Sequence, residues 1–308
     1  MRGSRQRKGL PINGMLLLNK PLGLSSNQAL QNAKRLLGAR KAGHTGSLDP
    51  LATGVLPLCF GETTKIASLF LNGDKTYRVA IKLGVSTDSG DGEGTITDQR
   101  RVDVSRQGIE RVLDQFRGEF LQTPPMFSAL KKDGQPLYKL ARKGVEIERT
   151  PRLVNVSSLV LNDWYDDEID LTVACSKGFY IRSLAMDIGQ ALGCGGHVAK
   201  LCRTVIGSFD LSQTHTLEQI EDAGGQIERE SLLLPTDQVL THFPSFTIPA
   251  NLAVYLCQGQ SIRPTRKPDV QVNETIRVYA ENGVFLGLCE FSEQGKIIPK
   301  KMFASSAD

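Results

Sequence analysis

The 308-residue sequence predicts a large domain of mixed helices and strands, followed by a small β-rich module. Residues 77–83 and 169–175 place apolar side chains at every second position, which is the period of a β-strand. Residues 29–37 and 105–118 instead repeat apolar side chains at the helical period. The dipeptide Asn282-Gly283 lies between two apolar segments and is typical of a hairpin turn. The chain is long enough for both units.

The first predicted elements are a buried strand over residues 14–19 and the helix that follows it. The strand ends at Lys20, because Pro21 interrupts the pattern. Ser25 and Ser26 are candidate N-caps for the helix, and Gly38 is a candidate C-terminal stop. Lys20 is therefore fixed between two regular elements, where it is a candidate for contact with a phosphate or a carboxylate.

Asp49 is the first carboxylate of the chain and lies in the Gly-rich segment 43–54. Pro50 disfavours a helix at Asp49, so we predict an irregular turn. Nine basic side chains and no acidic one precede it: Arg2, Arg5, Arg7, Lys8, Lys20, Lys34, Arg35, Arg40 and Lys41. In such surroundings, with no neighbouring acid, we expect an ionised carboxylate that can act as a nucleophile near a polyanion. The alternative is that Asp49 only forms the turn.

The net charge of +4 is distributed unevenly. Residues 1–48 carry +9, whereas the remainder, with 28 basic and 33 acidic residues, carries −5. A basic arm on an acidic body indicates a localised anionic partner. Residues 1–9 form a basic tail whose alternative role is that of a solubilising or disordered segment.

Composition argues against several classes of protein. The six cysteines form no Cys-x-x-Cys pair and there are four histidines, so we expect no zinc site. Scattered free thiols suit a reducing cytoplasm. No apolar stretch approaches the roughly 20 residues that a membrane span needs. A phosphate-cradling Gly-x-x-x-x-Gly-Lys-Ser/Thr loop is also absent from the sequence.

Residues 124–152 differ in character from the segments around them. Proline residues bound the segment, and apolar side chains such as Phe127 and Tyr138 alternate with basic ones. The basic residues are Lys131, Lys132, Lys139, Arg142, Lys143, Arg149 and Arg152. This pattern indicates a basic excursion from the core with side chains that stack or wedge. The alternative is a solvated amphipathic helix.

Three further side chains are candidates for chemistry. Tyr77 begins a predicted strand, where its phenol could stack, relay a proton or simply belong to the core. Arg182 follows Tyr180 into a helical apolar pattern, where a buried cation needs an anion; a surface position is the alternative. His44 precedes the Asp49 turn and could reach an extruded base, contact the backbone or cap the loop.

The segment 43–54 closely resembles the catalytic motif of the TruB family of pseudouridine synthases. The resemblance continues in fixed order, with similar segments at residues 17–26, 75–77, 84–91, 125–142, 176–182 and 196–204. It covers about residues 10–240. Departures are few: Phe179 and Ser47 replace commoner residues, and Cys202 stands where an arginine that contacts phosphate is usual.

The resemblance implies an α+β pseudouridine synthase core around a mixed, mostly antiparallel sheet, with a PUA-like C-terminal module. It implies isomerisation of uridine 55 in the T loop of tRNA. Asp49 would be the nucleophile and Arg182 its partner, while Tyr77 would stack on the base and take part in proton transfer. His44 would help to extrude the base. Tyr180 and the backbone near Leu201 would line the pocket.

The resemblance and the composition together define the expected organisation. We expect a basic tail over 1–9, a catalytic domain over 10–245 with an insertion at 124–152 that grips RNA, and a C-terminal RNA-binding module over 250–308. Residues 242–249 are predicted to be a linker. We expect a cytoplasmic monomer that binds the T arm of tRNA, with no cofactor, no metal and no membrane association.

Two rival functions remain open at this point. One is a synthase of the same family that works with a guide RNA, against which the compact segment after residue 249 argues. The other is a non-enzymatic RNA-binding or RNA-folding protein. A metal-dependent nuclease is a more distant alternative.

Overall fold

The structure is a computed structural model that describes residues 9–128, 130–132 and 134–303. The predicted basic tail, residues 1–9, lies outside the described residues except for Gly9.

Strands and helices are distributed along the whole described chain. The strands are β1 (Gly14–Lys20), β2 (Ala42–His44), β3 (Ala52–Phe60), β4 (Lys75–Leu83), β5 (Val85–Thr87), β6 (Ile96–Gln99), β7 (Gly118–Gln122), β8 (Lys131–Lys132), β9 (Gln135–Pro136), β10 (Arg152–Tyr165), β11 (Glu168–Cys175), β12 (Gly196–Ile206), β13 (Phe209–Asp210), β14 (Ser245–Ile248), β15 (Thr275–Ala280), β16 (Phe285–Phe291) and β17 (Ile297–Met302). The helices are α1 (Ser26–Leu36), α2 (Arg106–Asp114), α3 (Leu137–Ala141), α4 (Ile181–Ala191), α5 (Leu217–Asp222), α6 (Gln226–Glu230) and α7 (Ala250–Cys257). Segments of 3-10 helix cover Gly61–Asn72, Leu211–Gln213 and Gln238–Leu240.

The large domain is built on one mixed sheet with the order β1-β3-β12-β4-β11-β10-β7. β2 pairs with β3 and β13 pairs with β12 at its margins. Neighbouring strands are antiparallel except for β3 and β12, which run parallel. The expectation of an α+β fold around a mixed, mostly antiparallel sheet is confirmed.

The parallel pair of β3 and β12 matters for the site. Leu201 is in register with Ala52, and Arg203 is in register with Gly54. This pairing brings the end of β12 beside the segment that follows Asp49 in the chain.

The predicted first residues of the helices agree with the structure more closely than the predicted last residues. Of the two candidate N-caps, Ser25 caps α1 and forms a reciprocal capping box with Gln28, whereas Ser26 is the first residue of the helix. Ser105 likewise caps α2. However, α2 ends at Asp114 rather than near residue 118, because Gly118 adopts φ +80° and starts β7.

The C-terminal module is a four-stranded sheet with the order β14-β15-β16-β17. The predicted hairpin at Asn282-Gly283 joins β15 to β16. The prediction of a linker over 242–249 is wrong at residues 245–248, which form β14 parallel to β15. Strand pairing and burial of Ile248 in the core of the module account for this difference.

Separate apolar cores lie under the two sheets, and a third apolar cluster joins them. Met15 and Leu17 of β1 belong to this third cluster, together with Leu288 of β16 and Phe303. The C-terminal module therefore packs directly on the N-terminal strand of the large sheet.

Candidate active site

The Asp49 segment is irregular, and several hydrogen bonds fix its path between β2 and β3. Ser26 at the start of α1 bonds both polar groups of Leu48: the Leu48 amide donates to Ser26 Oγ at 2.7 Å, and Oγ donates to the Leu48 carbonyl at 2.9 Å. The Ala52 amide donates to the Asp49 carbonyl at 3.0 Å. The Asp49 side chain remains 44% exposed, so the carboxylate is anchored through its backbone and open to an incoming molecule.

Arg182 lies beside this carboxylate. Its Nη2 atom is 3.0 Å from Asp49 Oδ2, and its side chain is only 8% exposed. Two carbonyls fix the guanidinium: Nη1 donates to Ser89 at 3.2 Å and Nη2 donates to Phe127 at 2.6 Å. The apolar stripe of α4 buries the arginine, and Asp49 supplies the anion that such burial requires.

A second carboxylate, Asp91, lies on the other side of the same guanidinium. Asp91 Oδ2 is 3.6 Å from Arg182 Nη1, and its side chain is 6% exposed. Ser89 Oγ donates to Asp91 Oδ1 at 2.6 Å, which orients the carboxylate. Gly90 allows this loop to pack on α4, since a Cβ there would lie 2.6 Å from Met186 Sδ.

The ionisation of Asp49 differs from the sequence-based expectation. Although one side of the carboxylate is open, the protein around it removes much of its hydration and so raises the pKa of Asp49; the Arg182 guanidinium lowers that pKa, and Asp91 raises it again. No acidic residue is close to Asp49 in the sequence, but two are close to it in the folded chain. These are Asp91 and Glu93, from a loop about forty residues later. Desolvation and like charge thus outweigh the basic surroundings, and protonation of Asp49 becomes easier rather than harder.

Lys20 is fully buried and does not face solvent. Its Nζ donates to the carbonyls of Pro21 at 2.7 Å, Leu24 at 2.5 Å and Pro50 at 3.4 Å. Burial lowers its pKa to about 8, against the attraction of Asp49 and Glu93. Of the two expected partners, a phosphate does not fit this buried position, whereas carboxylates are near enough to attract the ammonium. The ammonium also ties the end of β1 to the Asp49 segment.

Tyr77 is the third residue of β4 and is 9% exposed. Burial raises the pKa of its phenol, and the positive charge of the Arg203 guanidinium lowers it. Asp49 is also close enough to raise that pKa. The structure therefore brings Tyr77 to the same site as Asp49, although the two lie 28 residues apart in the sequence.

His44 is the last residue of β2 and lies near Arg203. Burial lowers the pKa of His44, and the charge of Arg203 lowers it further, so the neutral imidazole is favoured. Its Nδ1 is buried and has no hydrogen-bond partner within the part of the chain that the structure describes. A donor or acceptor from a bound molecule would satisfy it.

Tyr180 and Leu201 lie on two different elements at the site. Tyr180 precedes α4, and Gln122 fixes its backbone: the Tyr180 amide donates to Gln122 Oε1 at 2.9 Å, and Gln122 Nε2 donates to the Tyr180 carbonyl at 3.1 Å. Leu201 of β12 is buried, and its carbonyl accepts from Thr53 Oγ1 at 3.3 Å.

The 124–152 segment forms a small lobe rooted at the site. It contains the β8–β9 hairpin and the five-residue α3, so the alternative of a solvated amphipathic helix does not describe the segment as a whole. Six of its basic side chains are exposed: Lys131, Lys132, Lys139, Arg142, Lys143 and Arg152. The Phe127 carbonyl that holds Arg182 lies at the root of this lobe, which links the basic surface to the site.

Asp91 and Arg203 had no individual role predicted from the sequence, and both are buried at the site. Asp91 resembled a loop acid among glycines, whose partner, Arg182, is 91 residues away in the sequence. Arg203 lies in a strand whose other buried positions are Gly196, His197, Val198, Leu201 and Ile206. A lone arginine in such a strand was the available signal, because a buried cation requires compensation.

In the described ranges no three His, Cys, Asp or Glu side chains converge as ligands for a metal ion. In the same ranges no helix is both long enough and apolar enough to cross a membrane.

Three family models match consecutive parts of the chain. Residues 34–181 match the TruB family pseudouridylate synthase N-terminal domain. Residues 182–241 match the tRNA pseudouridylate synthase B C-terminal domain, and residues 244–303 match the C-terminal domain of pseudouridine synthase II TruB.

Curated proteins similar to the chain include the tRNA pseudouridine synthase B of Stutzerimonas stutzeri, which is 51% identical over 297 residues, 96% of each chain. The protein of that name from Pseudomonas aeruginosa is 48% identical over 96% of this chain and 97% of its own.

Solved structures share the fold at lower sequence identity. A Cbf5-Nop10-Gar1 complex contains a chain with a TM-score of 0.71 and 24% identity, covering 94% of this chain and 85% of its own. An H/ACA RNP bound to a substrate RNA containing 2′-deoxyuridine contains another, with a TM-score of 0.72 and 21% identity, covering 99% and 92%.

Proposed function

The chain belongs to the TruB family of pseudouridylate synthases, and from this we infer that it converts uridine to pseudouridine in tRNA. We propose that its target is uridine 55 in the T loop and that Asp49 is the nucleophile. The near half-identity to proteins named tRNA pseudouridine synthase B, over 96% of the chain, supports tRNA as the substrate.

The observation that carries the nucleophile assignment is the pair of Asp49 and Arg182. A nucleophilic carboxylate must be oriented from one side and open on the other. Arg182 Nη2 lies 3.0 Å from Asp49 Oδ2 in a side chain that is 8% exposed, while the Asp49 side chain is 44% exposed. This asymmetry suits attack on a nucleoside that enters from solvent.

The reaction breaks the glycosidic bond from N1 to C1′ and forms a bond from C5 to C1′. One proton leaves C5 and one is delivered to N1, so there is no net oxidation and no hydrolysis. The residues needed are a nucleophile, a group that relays a proton and a surface that holds the base. Asp49 and Tyr77 supply the first two, and Tyr180 with the backbone near Leu201 supplies the third.

The target base is stacked within a folded loop and has to be extruded, at a cost of a few kcal/mol. Stacking of the extruded base on Tyr77 can offset about 1–3 kcal/mol of this cost. His44, whose buried Nδ1 lacks a partner within the described residues, is placed to contact the extruded nucleotide. Phosphate contacts to the exposed cations of the 124–152 lobe can offset the rest of this cost.

We also propose that the enzyme binds the T arm as a monomer in the cytoplasm, without a metal or cofactor. The domains proposed for this are 10–245 for catalysis and 250–308 for RNA contact. Cysteines without disulfide partners suit a reducing compartment.

A direct experiment incubates purified protein with unmodified tRNA in the presence of a chelator and without guide RNA, and then maps pseudouridine. We expect product at position 55 alone, and product also from an isolated T-arm minihelix. A tRNA with cytidine at position 55 is the matched control substrate and should give none. Dependence on an added guide RNA would favour the guide-directed alternative, and tight binding without product would favour a folding protein.

A further inference from the structure

Arg203 is a fully buried cation that the roles proposed above leave unused. It is 1% exposed, and its Nε donates to the Val55 carbonyl at 2.8 Å. An arginine fixed in this way keeps both terminal nitrogens available at a set distance from the backbone. Burial of a charge is costly unless a partner compensates it, so the surroundings of the guanidinium indicate its purpose.

The strand register places Arg203 next to the site. Arg203 of β12 is directly opposite Tyr77 of the antiparallel strand β4, which puts both side chains on one face of the sheet. On its other side, Arg203 is in register with Gly54 of β3, the strand that follows the Asp49 turn. Its Nη1 lies 3.9 Å from the point where a Cβ on Gly46 would be, so the guanidinium lies beneath the loop that carries Asp49.

One donor of this guanidinium is unsatisfied. Arg203 Nη2 is buried and has no hydrogen-bond partner within the described residues. A buried donor without a partner is unfavourable, and such groups persist where they meet an acceptor that is present only during function. The charged or titratable groups that act most strongly on Tyr77 are Arg203 from β12, Cys175 from β11 and Asp49 from the loop, and Arg203 is the cation among these three. Lys75, two residues earlier on β4, directs its ammonium to the carbonyls of Leu71 and Gly73.

We propose that Arg203 is a positioning residue for Tyr77: it fixes the phenol oxygen and stabilises the negative charge that develops there while the phenol relays a proton. This inference rests on the proposed function. In the relay, the phenol gives its proton to N1 and receives the one released by C5, so the residue ends as it began. The free Nη2 donor is used when the oxygen is most negative, which is when stabilisation increases the rate.

The test replaces Tyr77 with a fluorinated tyrosine, which lowers the phenol pKa into a range that the protein tolerates and gives a single 19F signal. We expect Arg203→Met to raise the titration midpoint of that signal by about one pH unit or more. Arg203→Lys should raise it too, because one ammonium cannot reach both the Val55 carbonyl and Tyr77. Arg78→Met is the matched control: it removes an exposed cation from β4 and should leave the midpoint unchanged.

The same Arg203 variants, with natural tyrosine, are then compared in single-turnover conversion of tRNA. We expect a fall of roughly 10- to 100-fold in the rate, with tRNA affinity within about twofold of the original protein. An unchanged midpoint in either folded variant, or a defect confined to affinity, would overturn the inference. If Arg203→Met does not fold, Arg203→Lys decides. Because the titration needs no turnover, it separates this inference from the proposed function, which fails instead if the unaltered protein makes no pseudouridine.

Discussion

Asp91 Oδ2 lies 3.6 Å from Arg182 Nη1, the guanidinium nitrogen that Asp49 does not use. Both of these side chains are nearly inaccessible to solvent, whereas Asp49 is the open member of the trio. A buried arginine between two carboxylates has a fixed orientation, and it transmits that orientation to the nucleophile.

Asp91→Asn should therefore reduce the rate although Asp91 makes no contact with Asp49 in this arrangement. The variant keeps the shape and the Ser89 contact but removes the charge, so Arg182 is free to shift relative to Asp49. We expect a decrease of about 10- to 100-fold in single-turnover rate, measured with saturating enzyme. Affinity for tRNA should be unchanged, and Asp98→Asn, in an exposed ion pair with Arg100, is the control. Equal decreases in the two variants would contradict the orienting role.

Asp49→Asn should bind tRNA and form no pseudouridine. Asparagine is nearly isosteric with aspartate and is not a nucleophile under these conditions, so the pocket remains while the chemistry stops. Gel-shift affinity and pseudouridine mapping measure the two properties on the same preparation. Turnover at the original rate would remove Asp49 from the mechanism, and loss of binding would indicate a structural role instead.

The single-turnover rate should decrease both at acidic pH (the acid limb) and at alkaline pH (the alkaline limb). The pKa of Asp49 is raised by burial, so the active ionised form is lost on acidification at a higher pH than for a free aspartate. The pKa of Lys20 is lowered to about 8, so the cation that supports ionised Asp49 is lost as the pH rises through that value. Single-turnover rates should rise with pH on the acid side and fall again near pH 8.

Lys20→Met separates the two limbs. This variant should move the acid limb to still higher pH, since a cation that favours ionised Asp49 is gone, and should abolish the alkaline limb. Lys41→Met is the control, because Lys41 is exposed and pairs with Glu62. An alkaline limb that persists in Lys20→Met would assign it to another group.

Gly54 should be far less tolerant of substitution than other glycines with positive φ. Its φ is +101°, and a Cβ would lie 2.2 Å from the Arg203 carbonyl oxygen. The positive φ and the close contact with the carbonyl oxygen both disfavour alanine at this position. We therefore expect Gly54→Ala to lower the free energy of unfolding by about 3 kcal/mol or more. Gly207 at the end of β12 has φ +58° and open space around it, so Gly207→Ala isolates the conformational cost, about 1 kcal/mol. Denaturant unfolding of both variants measures the difference.

The sequence predicted local elements and chemical types better than spatial neighbours. Ser25 and Asn282-Gly283 act through contacts within a few residues, so their roles could be predicted from the sequence. Asp91 and Arg203 reach the site through pairings of strands and loops far apart in the chain, which no local pattern encodes. The ionisation of Asp49 was misjudged for the same reason, because burial and the proximity of Asp91 are properties of the folded chain.

Affinity for tRNA should fall steeply with salt, and the 124–152 lobe should account for part of that dependence. Its exposed cations include Lys131, Lys132 and Arg142. Replacing these three by alanine should weaken binding and reduce the slope of log affinity against log salt by about one for each phosphate that the protein no longer binds. The isolated chemical step, measured with saturating enzyme, should change much less, because these side chains do not touch Asp49. Glu148→Gln in the same lobe is the reciprocal control: removing a negative charge beside the RNA should strengthen binding. An unchanged salt slope in the triple variant would show that the phosphates are bound elsewhere on the protein.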